Sequence, residues 1–139
     1  TVSDEGTVGL SDESNDDQTQ VQFGVISIDK FQAPDVSGSP GTFTKNQFNV
    51  FPGDTVWYEI VVVNDGSLSV TTVVVQDDVP SYTAIAIPAT ISIDNGTIVG
   101  LALDSANPTV GNTGTVKVTV PLLEPTHQFR IRFAVKVDE

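Results

Sequence analysis

The stretch PGDTVWYEIVVVNDGS, residues 52–67, carries apolar side chains on both faces of an extended chain. Val56, Tyr58, Ile60 and Val62 fall on one side, and Trp57, Val61 and Val63 on the other. A half-buried antiparallel strand alternates apolar with polar residues, so this one needs cover on both faces. The second cover comes either from another layer of the same domain, with residues 42–51 as the candidate, or from another subunit through Trp57, Val61 and Val63.

Working outward, most segments have the period of strands and none has a convincing helical one. Residues 21–31, VQFGVISIDKF, read as a first strand, and 32–41 as a Pro/Gly/Ser loop. Residues 42–51, TFTKNQFNVF, read as a small hairpin turning near Lys45 and Asn46. LSVTTVVVQDDVP, 68–80, reads as a strand apolar on both faces and stopped by Pro80. Asn95-Gly96 suits a two-residue hairpin turn in which both positions take positive φ, which would set Ile93 opposite Ile98. Val116, Val118 and Val120 point inward around an outward Lys117. In the last strand Phe129, Ile131, Phe133, Val135 and Val137 point inward, against outward Arg130, Arg132 and Lys136. Short strands with turn signals between them define an all-β chain, an antiparallel β-sandwich of about seven strands.

Pro52-Gly53-Asp54, the alternation Val56, Tyr58, Ile60, Val62, Asn64, the Gly66-Ser67 turn, and Val73, Val75, Asp77 and Pro80 have a counterpart. Together they resemble the signature of the conserved surface-protein repeat called domain of unknown function eleven, over about residues 25–137 and most specifically over 52–80. The resemblance implies an immunoglobulin-like β-sandwich of bacterial and archaeal surface or secreted proteins, without catalytic residues. The physical reading of the same residues is structural. Gly53 and Gly66 permit tight turns, Asn64 and Asp77 can bond the backbone where strands end, and Tyr58 fills the core.

At 139 residues the chain suits one domain, expected at 21–139 behind an acidic tail at 1–20. That tail holds Asp4, Glu5, Asp12, Glu13, Asp16 and Asp17 and no base, with Val2, Val8 and Leu10 as its only sizeable apolar groups. It cannot build a core of its own. The whole chain has 18 acids against 6 bases, a formal net charge of -12, which argues against nucleic acid as a partner. No apolar run is long enough to span a membrane. The start at Thr1 raises the expectation of a processed protein that is secreted, extracellular or on the cell surface.

Chemistry has few candidates. The chain has one His and no Cys, and His127 sits in a polar loop, so no nucleophile–base arrangement is expected, no small-molecule substrate, and no enzyme. Asp77 and Asp78 fall on opposite faces of a strand and do not form an acid/base pair. No cofactor is required, although Asp12, Glu13, Asp16 and Asp17 offer the oxygens that Ca²⁺ prefers. Asn95-Gly96-Thr97 is a glycosylation sequon, and Lys30 stands where some surface sandwiches form an isopeptide bond, for which Asp138 would be the partner.

These features point to a homo-polymer: a structural subunit of an extracellular filament, pilus or surface coat. Val2, Val8 and Leu10 of one tail would dock on a neighbour's two-sided strands at 56–63 and 70–75, with Lys117, Arg130, Arg132 and Lys136 facing the tail's acids. The alternative is an adhesin or spacer domain that binds a partner through its loops.

Overall fold

The computed structural model describes residues 25–139. Eight strands occupy that span: β1 (Ile26–Val36), β2 (Ser39–Pro40), β3 (Thr55–Asn64), β4 (Val70–Asp78), β5 (Thr83–Asn95), β6 (Ala102–Leu103), β7 (Thr115–Leu123) and β8 (Gln128–Val137). They form a five-stranded sheet, β2-β1-β3-β8-β5, and a three-stranded sheet, β4-β7-β6. Every pairing is antiparallel. No helix among the described residues is long and apolar enough to cross a membrane.

The strand order departs from the immunoglobulin expectation. In that fold the last strand pairs with the one before it. Here β8 lies between β3 and β5, while β7 lies between β4 and β6 in the other sheet. The order is that of nested Greek keys, as in a jelly roll. Turn signals and alternation set which residues face inward, but they do not say which strands become neighbours.

The core lies between the sheets. Phe129, Ile131, Phe133 and Val135 of β8 are fully buried and meet Val116, Val118 and Val120 of β7, all at most 1% exposed. From β3, Val56, Ile60 and Val62 join them, with Tyr58 at the margin stacked 5.5 Å from Phe133. Each such buried aliphatic or aromatic side chain contributes roughly 1.5–3 kcal/mol of transfer free energy. The inward faces read from the sequence on β3, β7 and β8 are those observed.

The Pro-Gly-Asp turn has a direct cause. Gly53 takes φ +88°, and Asp54 N donates to Phe51 O, so Pro52 and Gly53 occupy the two central positions of a type II turn. At the other end of β3, Asn64 is fully buried and its side chain ties the β3–β4 turn to β7. Its Nδ2 donates to Leu68 O (2.8 Å) and Leu123 O (2.9 Å), and its Oδ1 accepts from Gly66 N.

Several local expectations fail. Residues 32–36 complete β1, and Ser37-Gly38, both with positive φ, turn tightly into β2, where a loop was expected. Residues 42–51 form no hairpin. They run as a strap held by the Gln32–Thr44 bridge, with Phe43 and Phe48 packed on the two sides of the sheet. Asn95-Gly96 closes no hairpin either, since Ile93 pairs with Phe129 and the chain then crosses to the second sheet, burying Ile98 to 6% exposure. Gly96 does take φ +83°, and the His127 ring occupies the space a Cβ would need. On β4, only Val73 and Val75 are buried, and the outward Val74 is 42% exposed.

Candidate assembly site

A strand can accept another chain only where its own main chain is unpaired. β3 is ruled out as an acceptor at 56–63, because β1 and β8 pair along both of its edges. Among the described residues, β4 pairs with β7 alone. The outer edge of β1, the one away from β3, is covered at one end by β2 and the Thr44 bridge, and along 26–31 that edge has no strand beside it among the described residues.

These two edges lie on the same side of the sandwich and frame a groove of about 380 Å³ lined by Ile28, Lys30 and Ile60 on one side and by Val74, Val75, Gln76 and Asp77 of the β4 edge on the other. Ile28 and Lys30 stand opposite Val62 and Ile60 in the β1–β3 ladder, so they point toward the core side. Ile28 is nevertheless 54% exposed. Asp77, opposite Val116 on β4, also points inward, and Lys30 Nζ reaches across to 2.7 Å from its Oδ2. That contact is an ion pair with poor hydrogen-bond direction, because Asp77 Oδ2 is shut off from solvent without a well-aligned donor. The same ammonium lies 4.5 Å from the centre of the Tyr58 ring. Burial, and secondarily Asp77, hold the Tyr58 phenol above the usual tyrosine range.

The opposite side is filled. Crossover residue Ile98 is buried between the sheets, and Gly111 N donates to Ile85 O while Ile85 N donates to Asn112 O. Pro88 and three register shifts further interrupt β5 as an edge.

The residues singled out from the sequence divide. Trp57 is 8% exposed and covered by its own chain, packed with Ala33, Ala134 and Phe43, and its Nε1 donates to Asp35 Oδ1 at 2.8 Å. The cover is therefore the 42–51 strap, in a form other than the expected hairpin. Val61 and Val63 are half-buried on the same outer face. The four bases do not share one surface: Lys117 lies on the three-stranded sheet, and Arg130, Arg132 and Lys136 on the five-stranded one. Each already faces an acid of its own chain. Arg130 and Arg132 clamp the buried Glu59 at 2.9 and 2.7 Å, and Arg130 also holds Asp94. Lys117 faces Asp104 and Lys136 faces Glu139.

Asn95 is exposed at the end of β5, with its Nδ2 donating to Thr126 O. Asp78 points outward and accepts from Thr115 Oγ1, apart from Asp77. His127 is half-buried against Gly96. Val2, Val8, Leu10, Asp12, Glu13, Asp16 and Asp17 lie outside the described residues. Among the described residues, no three His, Asp or Glu side chains group as a metal site would.

Ile28, Lys30 and Asp77 were not singled out as an interface from sequence. The signal was present in ISIDK, where the inward positions 26, 28 and 30 read Ile, Ile, Lys. An inward charge is one way a sheet edge is guarded.

No protein-family model, no curated protein and no solved structure matches the chain. The likeness of residues 52–80 to the surface-protein repeat rests on its motif.

Proposed function

We propose that this chain is a non-catalytic structural subunit that polymerises outside the cell, as a filament, pilus or surface coat, by joining strand edges head to tail. The observation that carries the reading is Ile28, a residue on the core-facing side of β1 that no element among the described residues covers. An apolar side chain in that position belongs to a sandwich whose outermost element comes from elsewhere, and the unpaired edge of β4 beside it offers the main-chain hydrogen bonds such an element needs. The surface-repeat motif at 52–80 supports an extracellular or cell-surface setting. Donor and acceptor are different surfaces, so the contact is heterologous and propagates unless it closes into a ring. Negative-stain microscopy and sedimentation of the purified chain test the reading: filaments or sheets are expected, and a strict monomer at every concentration and salt would refute it.

A further inference from the structure

We infer that the groove between β1 and β4 receives residues Gly6–Ser11 of a second copy, laid along β4 as an added strand with Val8 and Leu10 turned into the groove. The inference rests on the self-assembly reading and names the donor and the acceptor within it. Three observations meet here.

The acceptor has a defined length. Thr72 takes φ +54° and drops out of the ladder opposite Pro121, which has no N–H to donate, while the register is unchanged from Thr71–Leu122 to Val73–Val120, so the regular pairing is interrupted there. The regular edge of β4 therefore runs from Val73 to Asp78, six residues.

The acceptor has a defined charge. Asp77 and Asp78 lie on β4, and Lys30, the base at the groove, is already held by Asp77. A carboxylate laid against this edge would be repelled, with no free cation beside it among the described residues to compensate. The donor must be uncharged where it pairs.

The sequence before residue 25 supplies such a segment. Glu5 and Asp12 bracket Gly6-Thr7-Val8-Gly9-Leu10-Ser11, an uncharged run also six residues long; the longer uncharged run before residue 25, at 18–24, leads directly into β1 of its own chain. Extended, it sets Val8 and Leu10 on one face and Thr7, Gly9 and Ser11 on the other. The apolar face would cover Ile28, Ile60 and Val75. The flanking acids would then fall beyond the ends of the paired edge.

The chain has no cysteine, so single thiols map the contact cleanly. Thr7→Cys full-length protein is mixed under oxidising conditions with Val74→Cys or Gln76→Cys, which place the thiol on the outward face of β4, and in parallel with Val99→Cys, which is 79% exposed and away from the groove. The expected result is several-fold more mixed disulfide with position 74 or 76 than with 99. In a second measurement, Val8→Asp/Leu10→Asp keeps the melting temperature and loses assembly. Equal cross-linking at all three positions, in a protein that does assemble, overturns this inference and leaves the self-assembly reading standing. A Thr7→Cys/Val74→Cys chain that closes only on itself shows the groove filled by its own tail and overturns it too. A wild-type chain that never assembles defeats both.

Discussion

Ile28 and Val62 face each other across the β1–β3 ladder on the same side of the sheet, yet Ile28 is 54% exposed and Val62 is 0%. The difference comes from what lies opposite. Val62 is roofed by the second sheet, and Ile28 overhangs beyond its last strand. Stability should divide the same way. Val62→Ala should cost about 2 kcal/mol, through lost transfer energy plus a cavity. Ile28→Thr should stay within about 0.5 kcal/mol in the unassembled chain. Urea unfolding compares them, and a cost at Ile28 equal to that at Val62 would show that Ile28 is already covered.

Glu59→Gln should destabilise the fold by about 1–2 kcal/mol, since it removes the charge that Arg130 and Arg132 share. The Glu59 side chain is 7% exposed and the arginines 30% and 37%, so water recovers part of the loss on their side only. Chemical denaturation checks it, and wild-type stability in Glu59→Gln would mean that the clamp contributes nothing.

Asn64→Asp should be at least as damaging as Asn64→Ala, at about 3 kcal/mol. Both lose the donors to Leu68 O and Leu123 O, and the aspartate also buries a charge. Thermal melts of the two variants give the order. Tolerance of Asn64→Asp would contradict the observed direction of these hydrogen bonds.

Much of this architecture was legible before any coordinates. Alternation is a local property, so the inward faces of β3, β7 and β8 followed directly from Val56 to Val62, Val116 to Val120 and Phe129 to Val135. Neighbour relations are not local. Nothing in the sequence of β8 says that it inserts between β3 and β5, and Asn95-Gly96, which has the composition of a hairpin turn, instead starts a crossover because Ile98 is drawn into the core. The assembly site was half legible for the same reason. Trp57 read as a contact because its cover, Phe43, comes from a strap with no regular period. Ile28 became conspicuous only when β4 proved to be the last strand of its sheet.

Tyr58 should ionise above the ordinary tyrosine value of about 10, because burial and then Asp77 disfavour the phenolate. With the folded value raised, its contribution to stability is complete below the unfolded value and is lost as pH climbs through the folded one. The chain has two tyrosines, so in Tyr82→Phe the tyrosinate absorbance reports Tyr58 alone. A midpoint at or below about 10 would contradict the burial of this ring.

Amide hydrogen exchange across β4, measured on dispersed and assembled protein, addresses the central claim most directly. Among the described residues one edge of β4 is unpaired, and the account predicts that peptides spanning 73–78 gain strong protection on assembly while those of β3, already paired on both sides, change little. Assembled protein in which β4 exchanges as fast as in the monomer, with protection gained elsewhere, would contradict it.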